Sequence, residues 1–214
     1  MIDRMAEASP NLPLPGGELR SVLALLVKFL FVGVLGVVLG LVVTFLTIEQ
    51  GSGFNAVAAG PWLAFPRNGT FNIDPYARAM LAHSGEMPLG ASEGLAFVAR
   101  SDSAGDAFDP DCDYTLTGAA PPGRYWTLTL LSPSGFLITN KALRHGFTSS
   151  EILRAADGGF TVAISREARP GNWLPIGDAR KFILVLRLYD TEVSAVAVAL
   201  DESKLPKLIR GACQ

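Results

Sequence analysis

The side chains best suited to bind a ligand in this sequence are polar and aromatic residues of its C-terminal half. Arginine pairs with anions, asparagine both donates and accepts hydrogen bonds, and tryptophan and tyrosine rings offer faces for stacking. The candidates are Asn140, Arg144, Asn172, Trp173, Arg187 and Tyr189. Arg187 interrupts an apolar run and needs a partner if it is buried. We expect it to be hydrogen-bonded within the domain, with Asn172 or Trp173 close by; the alternative is an anchor for an anionic ligand.

Catalytic and cofactor motifs do not accompany these candidates. His83 and His145 are far apart, and the sequence has no G-x-S-x-G, H-E-x-x-H or glycine-rich phosphate loop. Asp109, Asp111 and Asp113 alternate, but an EF-hand also needs a glycine at its sixth position and a glutamate at its twelfth. We therefore expect a solvated acidic loop. The sequence predicts no catalytic residue, no metal site and no cofactor.

The two cysteines, Cys112 and Cys213, form no metal-binding or redox motif. A disulfide between them is possible in an oxidising compartment, where structural disulfides persist. The alternative is a pair of free thiols. We predict the disulfide, which would close a loop of about 100 residues.

The apolar residues are concentrated near the N-terminus. Residues 29–48 are 20 consecutive uncharged residues, enough to cross a hydrocarbon core of about 30 Å. We predict a single transmembrane helix over residues 21–48. Arg4, Arg20 and Lys28 lie on its N-terminal side, so the positive-inside rule puts the N-terminus in the cytoplasm and the C-terminal domain outside.

An uncleaved anchor is favoured over a cleaved signal peptide. Ala56-Val57-Ala58 resembles a cleavage site. The apolar segment, however, is longer than the 7–15 residues usual for a signal peptide. Gly36 and Gly40 have the spacing of a helix-dimerisation motif, so a homodimer is possible, although glycine is also common in unpaired membrane helices.

The predicted organisation has four parts: a cytoplasmic tail (1–20), the transmembrane helix (21–48), a stalk (49–60) and one periplasmic domain (61–214). Alternating or apolar runs predict strands at 94–99, 113–117, 125–130, 136–139, 160–165, 181–189 and 192–200. The strands at 125–130 and 136–139 should form a hairpin around Ser132-Pro133-Ser134-Gly135, and the strand at 181–189 should be central.

Two short helices are also predicted. Asp74-Pro75 is a helix start, and Thr148-Ser149-Ser150-Glu151 has the pattern of a capping box that opens a helix ending near Gly158. Many short strands with few helices predict a mainly β fold, an antiparallel sandwich.

Two segments resemble the DUF1214 family, a domain of unknown function. They are GRYWTLTLLSPSGFLITN at 123–140 and RPGNWLPIGDARKFILVLRLYD at 169–190, in the family's order and spacing. The chain is similar to the short membrane-anchored proteins of that family found in α-proteobacteria. The resemblance implies a jelly-roll-like β-sandwich and no activity. Leu131-Ser132 stands where many members have Tyr-Asp, and the usual C-terminal Trp-x-Pro-Pro ending is absent.

Composition limits the remaining function classes. The net charge is −2 and charged residues are 18% of the chain, so a nucleic-acid partner recognised through a basic field is excluded. We predict a membrane-anchored periplasmic module that binds an envelope protein or glycan without catalysis. The alternative is a carbohydrate-active or other hydrolase on a jelly-roll scaffold.

Overall fold

The computed structural model describes residues 16–50, 56–84, 87–90, 92–191 and 202–213. The chain divides into two compact units, Met1–Leu46 and Thr47–Gln214, and each is described by itself. The first contains a long apolar helix, and the second is mainly β.

Helix α1 spans Gly16–Gln50, so it begins before the predicted span of 21–48 and ends two residues after it. Its segment Arg20–Ile48 is long and apolar enough to cross a membrane, and none of its most apolar window is buried. A core helix of a soluble protein buries at least one face. Leucine, valine and phenylalanine side chains are exposed on every side of α1, so by length and composition α1 could be a membrane anchor or a signal sequence.

The second unit contains ten strands and one short α-helix among the described residues. The strands are β1 Val57–Ala59, β2 Trp62–Ala64, β3 Gly94–Ala99, β4 Cys112–Gly118, β5 Tyr125–Leu131, β6 Gly146–Thr148, β7 Phe160–Ser165, β8 Asn172–Pro175, β9 Ile183–Tyr189 and β10 Lys207–Cys213. Helix α2 is Pro75–Ser84, and a 3₁₀ turn is at Glu202–Lys204. Asp74 Oδ1 accepts hydrogen bonds from the amides of Tyr76 and Ala77 at 2.9 and 3.0 Å, which confirms the predicted helix start.

The strands form two sheets around one core. The first sheet has the order β1-β2-β3-β9-β5-β6, and the second has the order β10-β4-β7-β8. Every pair is antiparallel except β7 with β8, so the second sheet is mixed. One cluster of buried apolar side chains includes Trp62, Phe97 and Trp126 from the first sheet and Leu116 and Val162 from the second. The two sheets therefore share one core, as in a β-sandwich.

Strand β9 lies inside the first sheet, with β3 on one side and β5 on the other, as predicted for a central strand. Leu184, Leu186 and Leu188 point into the shared core. Ile183 and Val185 pack in a separate small cluster with Leu131 and half-buried Val98. The period-two alternation of a strand accounts for this division.

The predicted helix from Thr148 to about Gly158 is wrong. Glu151 does reach back to the amide of Thr148, 3.1 Å from its Oε2, and the Glu151 amide donates to the Thr148 carbonyl. The chain makes only this turn, because the backbone of Leu153 pairs with a side chain of strand β8 and Ala155 donates to Gly159. Forming the first helical turn costs conformational entropy, and only the hydrogen bonds of later turns offset that cost. Without those bonds the helix does not extend.

The predicted hairpin at residues 125–139 forms only in part. Gly135 donates to the Ser132 carbonyl, so the turn is present, and Leu131 and Leu137 make one bridge. Beyond that bridge, β6 pairs with β5 in place of residues 138–139. Leu130 donates to the carbonyl of His145, so this edge of β5 is already occupied.

Two further predictions concern the stalk and the last predicted strand. Strand β1 begins at Val57 and pairs with β2, so the sheet starts inside the segment predicted as a stalk. The predicted strand at 192–200 lies outside the described residues.

Candidate functional site

A disulfide joins the C-terminal strand to the middle of the second sheet. Cys112 at the start of β4 is bonded to Cys213 at the end of β10, with their Cα atoms 3.8 Å apart. Cys112 is 1% exposed, and Arg210 Nη2 lies 3.1 Å from its sulfur. The predicted disulfide is therefore present in the structure.

Each carboxylate of the alternating acidic loop pairs with a different arginine. Asp109 lies 3.4 Å from Arg210, Asp111 lies 3.4 Å from Arg166, and Asp113 lies 2.6 Å from Arg169. Three carboxylates that face three guanidinium groups are poorly placed to converge on one cation. The described residues contain no group of three or more His, Cys, Asp or Glu side chains that could hold a metal ion.

Arg166 holds the loops at this end of the sandwich together. Besides Asp111, its guanidinium donates to the carbonyls of Pro110, Gly177 and Ala179 at 3.0, 2.7 and 3.0 Å. A planar guanidinium with five N–H groups can donate to all four of these acceptors at once, whereas an ammonium group has only three N–H donors. Sequence analysis did not identify Arg166, because nothing in its local pattern differs from a solvated arginine.

Tyr114 lies beneath this network. Its hydroxyl accepts a hydrogen bond of 2.7 Å from the Asp109 amide, and its ring packs edge-on against Phe108 and Phe182. Burial raises the pKa of the Tyr114 hydroxyl above its ordinary value. The group is thus a neutral structural partner at physiological pH.

The six predicted ligand-binding residues lie in three places. Asn140 and Arg144 are in the loop between β5 and β6, Asn172 and Trp173 are on β8, and Arg187 and Tyr189 are on β9. Arg144 is the one link between these places that we observe among the described residues, since its Nη1 donates to the Trp173 carbonyl at 3.2 Å.

Both asparagines are fully engaged by backbone groups. Asn172 Oδ1 accepts from the Leu153 amide, and its Nδ2 donates to the carbonyls of Leu153 and Thr161, with all three distances between 2.8 and 2.9 Å. Asn140 Nδ2 donates to the carbonyls of Ile138 and Arg144, and its Oδ1 accepts from the Arg144 amide. Their side chains fix loop conformations.

The expectation that Arg187 lies close to Asn172 or Trp173 is wrong. Arg187 projects half-buried from the face of the first sheet opposite the shared core, in register with Ala96 and Thr127. Asn172 and Trp173 belong to the second sheet. Arg187 does have an interaction partner in the structure. Tyr189, two residues on, faces the Tyr125 ring at 5.9 Å.

An open groove of about 570 Å³ lies on the outer face of the second sheet. Thr117 and Thr161 form its floor, with their hydroxyls 3.5 Å apart. One wall comes from the segment of Leu153, Asp157 and Gly159, and the other from Pro170 to Asn172. Asn172 therefore shapes the groove by tying Leu153 to β8.

The chemistry of this groove favours binding. Its lining offers threonine hydroxyls, glycine backbone groups and a single carboxylate, Asp157, which accepts from the Gly159 amide at 2.9 Å. The lining residues include no histidine, cysteine or lysine. Hydroxyl and backbone groups of this kind hydrogen-bond to sugars or peptides.

The part of the chain that forms the groove matches a known protein family. Residues 93–193 match the family described as protein of unknown function DUF1214. The match covers 101 of the chain's 214 residues. The matched segment contains strands β3 to β9, both family-like motifs and all of the groove lining, so the predicted resemblance is confirmed.

The fold of one solved structure supports the fold assignment. The VPA0106 protein from Vibrio parahaemolyticus superposes with a TM-score of 0.52 at 21% identity, over 68% of this chain and 37% of that one. An uncharacterised protein from Burkholderia cenocepacia gives a TM-score of 0.40 at 19% identity, over 69% of this chain and 45% of that one. This chain thus spans less than half of either protein. No curated protein has a significant sequence match.

Proposed function

We propose that α1 anchors this chain in a bacterial inner membrane, with the N-terminus in the cytoplasm and the DUF1214 domain in the periplasm as a non-catalytic binding module. The observation that carries the proposal is the complete exposure of the apolar window of α1. The basic residues Arg4, Arg20 and Lys28 on its N-terminal side support the orientation.

The disulfide supports the same orientation independently. Cys112–Cys213 lies in the domain that follows α1. Disulfides persist in the periplasm and are rare in the reducing cytosol. A periplasmic domain is therefore consistent with both the charge distribution and the cysteine chemistry.

The groove on the second sheet is the proposed binding site, and an envelope glycan or peptide is its proposed ligand class. A glycosidase normally places two carboxyl groups on either side of the scissile bond. The groove lining provides only Asp157. This favours binding over the hydrolase alternative.

Reporter fusions test the topology. Alkaline phosphatase fused after Gln214 should be active, and a cytoplasmic reporter fused at the same residue should be inactive. The control variant combines Arg20→Glu and Lys28→Glu with Glu49→Lys and Gln50→Lys, which reverses the charge difference across α1. We expect it to lose phosphatase activity. An inactive fusion of the native chain would overturn the orientation.

Titration of the detergent-solubilised full chain with soluble peptidoglycan fragments tests the groove. Thr161→Trp should fill the groove and abolish binding. Thr115→Trp is the matched control, because Thr115 is also an exposed threonine on the outer face of this sheet but does not line the groove. Release of new reducing ends by the native chain would favour the hydrolase. Equal binding by both variants would overturn the groove as the site.

A further inference from the structure

One loop of the domain exposes an unusual concentration of apolar side chains. Outside α1, nine large hydrophobic residues of the described chain are exposed, and three of them, Phe136, Leu137 and Leu143, lie between β5 and β6. Their exposed fractions are 72%, 60% and 81%. We call residues 132–145 the apolar loop. Single exposed hydrophobic residues are ordinary, but three in one loop indicate an interaction surface.

The fold holds this loop in place with its apolar residues outward. Leu143 has a positive φ of 52°, a backbone conformation that costs a leucine about 1 kcal/mol or more. The Asn140 carbonyl accepts from the Leu143 amide at 3.2 Å, and Asn140 Oδ1 accepts from the next amide at 3.1 Å. Hydrogen bonds from the buried Asn140 thus hold the backbone in the conformation that leaves the Leu143 side chain exposed.

A basic groove lies beside these apolar residues. Ser132, Ser134 and Ile138 of the apolar loop form a shallow groove of about 520 Å³ with the segment from Asp178 to Lys181. Arg180 and Lys181 are exposed there. The two segments, 132–145 and 176–181, together contain four Lys or Arg residues and one acid, whereas the whole chain has a net charge of −2.

We infer that the apolar loop and its basic groove dock onto an anionic phospholipid surface. Phe136, Leu137 and Leu143 would enter the boundary between headgroups and acyl chains, and Arg180 and Lys181 would pair with lipid phosphate, assisted by the Ser132 and Ser134 hydroxyls. Apolar side chains flanked by basic residues are the usual composition of an interfacial membrane contact.

The length of the connecting chain favours a lipid occupant. This step rests on the proposed anchoring of α1. Six residues separate Gln50, the last residue of α1, from Val57, the first of β1. Six extended residues span at most about 20 Å, so an anchored domain stays close to the bilayer and meets it at a high effective concentration.

A tryptophan reporter in the full chain tests the docking. The chain is placed in nanodiscs with brominated lipids, which quench tryptophan on contact. Phe136→Trp reports from the apolar loop. Phe71→Trp is the matched control, since Phe71 is a fully exposed phenylalanine of another loop. We expect Phe136→Trp to be quenched more strongly, above all in discs that contain phosphatidylglycerol. Equal quenching of the two variants would overturn the inference.

Charge variants in the Phe136→Trp background test the basic groove. Each basic residue close to an anionic surface changes the docking equilibrium by about five-fold. Arg180→Gln with Lys181→Gln should therefore shift the ratio of docked to undocked protein by roughly 25-fold in phosphatidylglycerol discs. Arg124→Gln with Lys204→Gln removes the same charge from exposed positions elsewhere and should change little. Equal effects of the two pairs would overturn the role of the groove.

Different results would refute the proposed anchoring and the docking inference. If the native chain is extracted from vesicles without detergent, the proposed anchoring is wrong. The comparison of Phe136→Trp with Phe71→Trp on brominated vesicles still measures docking in that case. If the chain remains anchored and the two reporters are quenched equally, only the docking inference is wrong.

Discussion

Individual side chains in this domain act mainly by satisfying backbone groups of the loops. Asn172 pairs with Leu153 much as a neighbouring strand would, and Arg166 joins three carbonyls from two loops. Such side chains resemble ligand-binding residues in the sequence because the same polar atoms serve both purposes. Only the partners distinguish the two roles.

Replacement of Asn172 by alanine should destabilise the domain. The Leu153 amide and two carbonyls would lose their partners, and a buried polar group without a hydrogen bond costs about 1–3 kcal/mol. Denaturant unfolding of the detergent-solubilised chain measures the loss. Asn72→Ala, in an exposed turn, should change the free energy of unfolding by less than about 0.5 kcal/mol. Equal stability of Asn172→Ala and the native chain would contradict this structural role.

Tyr114 should make the domain less stable in alkali. Its pKa is raised in the folded state by burial, so the unfolded chain loses this proton first as the pH rises. The neutral tyrosine stabilises the fold fully below about pH 10, its ordinary pKa, and this contribution is lost as the pH rises toward the folded-state pKa. Tyr114→Phe removes the titrating group. Its free energy of unfolding should fall less steeply above pH 10, although it also loses the hydrogen bond from the Asp109 amide.

At the scale of the elements, β10 depends on a covalent link. It is an edge strand that pairs only with β4, its register shifts between Arg210 and Cys213, and most of its residues are exposed. Few apolar contacts hold it, although Leu208 is fully buried in the core. The disulfide at its last residue offsets this small number of apolar contacts, because a cross-link lowers the conformational entropy of the unfolded chain.

Removal of this disulfide should lower stability substantially. The cysteines are 101 residues apart, and closure of a loop of that length is worth up to about 4–5 kcal/mol in the chain-entropy account. The double variant Cys112→Ser with Cys213→Ser should show this loss in denaturant unfolding. The native chain, extracted from the membrane in detergent without reductant, should not react with a thiol reagent. Labelling of both cysteines in that sample would contradict the disulfide.

At the scale of the whole molecule, hydrogen bonds join the two sheets at both sides of the sandwich. Trp62 on β2 donates from Nε1 to the Pro206 carbonyl next to β10 at 2.7 Å. On the other side, Arg144 beside β6 donates to the Trp173 carbonyl on β8. The first contact joins β2, which lies next to the edge strand β1, to the segment before β10, and the second joins the loop before β6 to the edge strand β8.

These two contacts should contribute independently. Trp62→Phe keeps most of the ring and removes the indole N–H, and Arg144→Met keeps the apolar stem and removes the guanidinium. Trp62→Phe should cost about 1–3 kcal/mol or more, because the indole is fully buried and the Pro206 carbonyl loses its partner. Arg144→Met should cost about 0.5–1.5 kcal/mol, because this hydrogen bond is exposed to solvent. The double variant should lose the sum within about 0.5 kcal/mol, since the sites share no partner. A clearly non-additive result in thermal unfolding would show that the two sides are coupled.

Short-range patterns determined much of this protein. The 20 uncharged residues at 29–48 predict α1, the alternation of β9 predicts its two faces, and Asp74 before Pro75 predicts the start of α2. Each depends on neighbours within a few residues, where hydrogen-bond spacing and side-chain period act directly.

The tertiary structure decided the rest. The capping pattern at Thr148 gives only one turn, because the Leu153 amide donates a hydrogen bond to Asn172, which lies 24 residues after Thr148 in the chain. Arg187 is separated from Trp173 because their strands enter different sheets, and the acidic loop is neutralised by arginines as far away as Arg210. These outcomes depend on which distant segments meet. Local sequence cannot encode that choice, because burial and pairing energies are set only when the two sheets pack around one core.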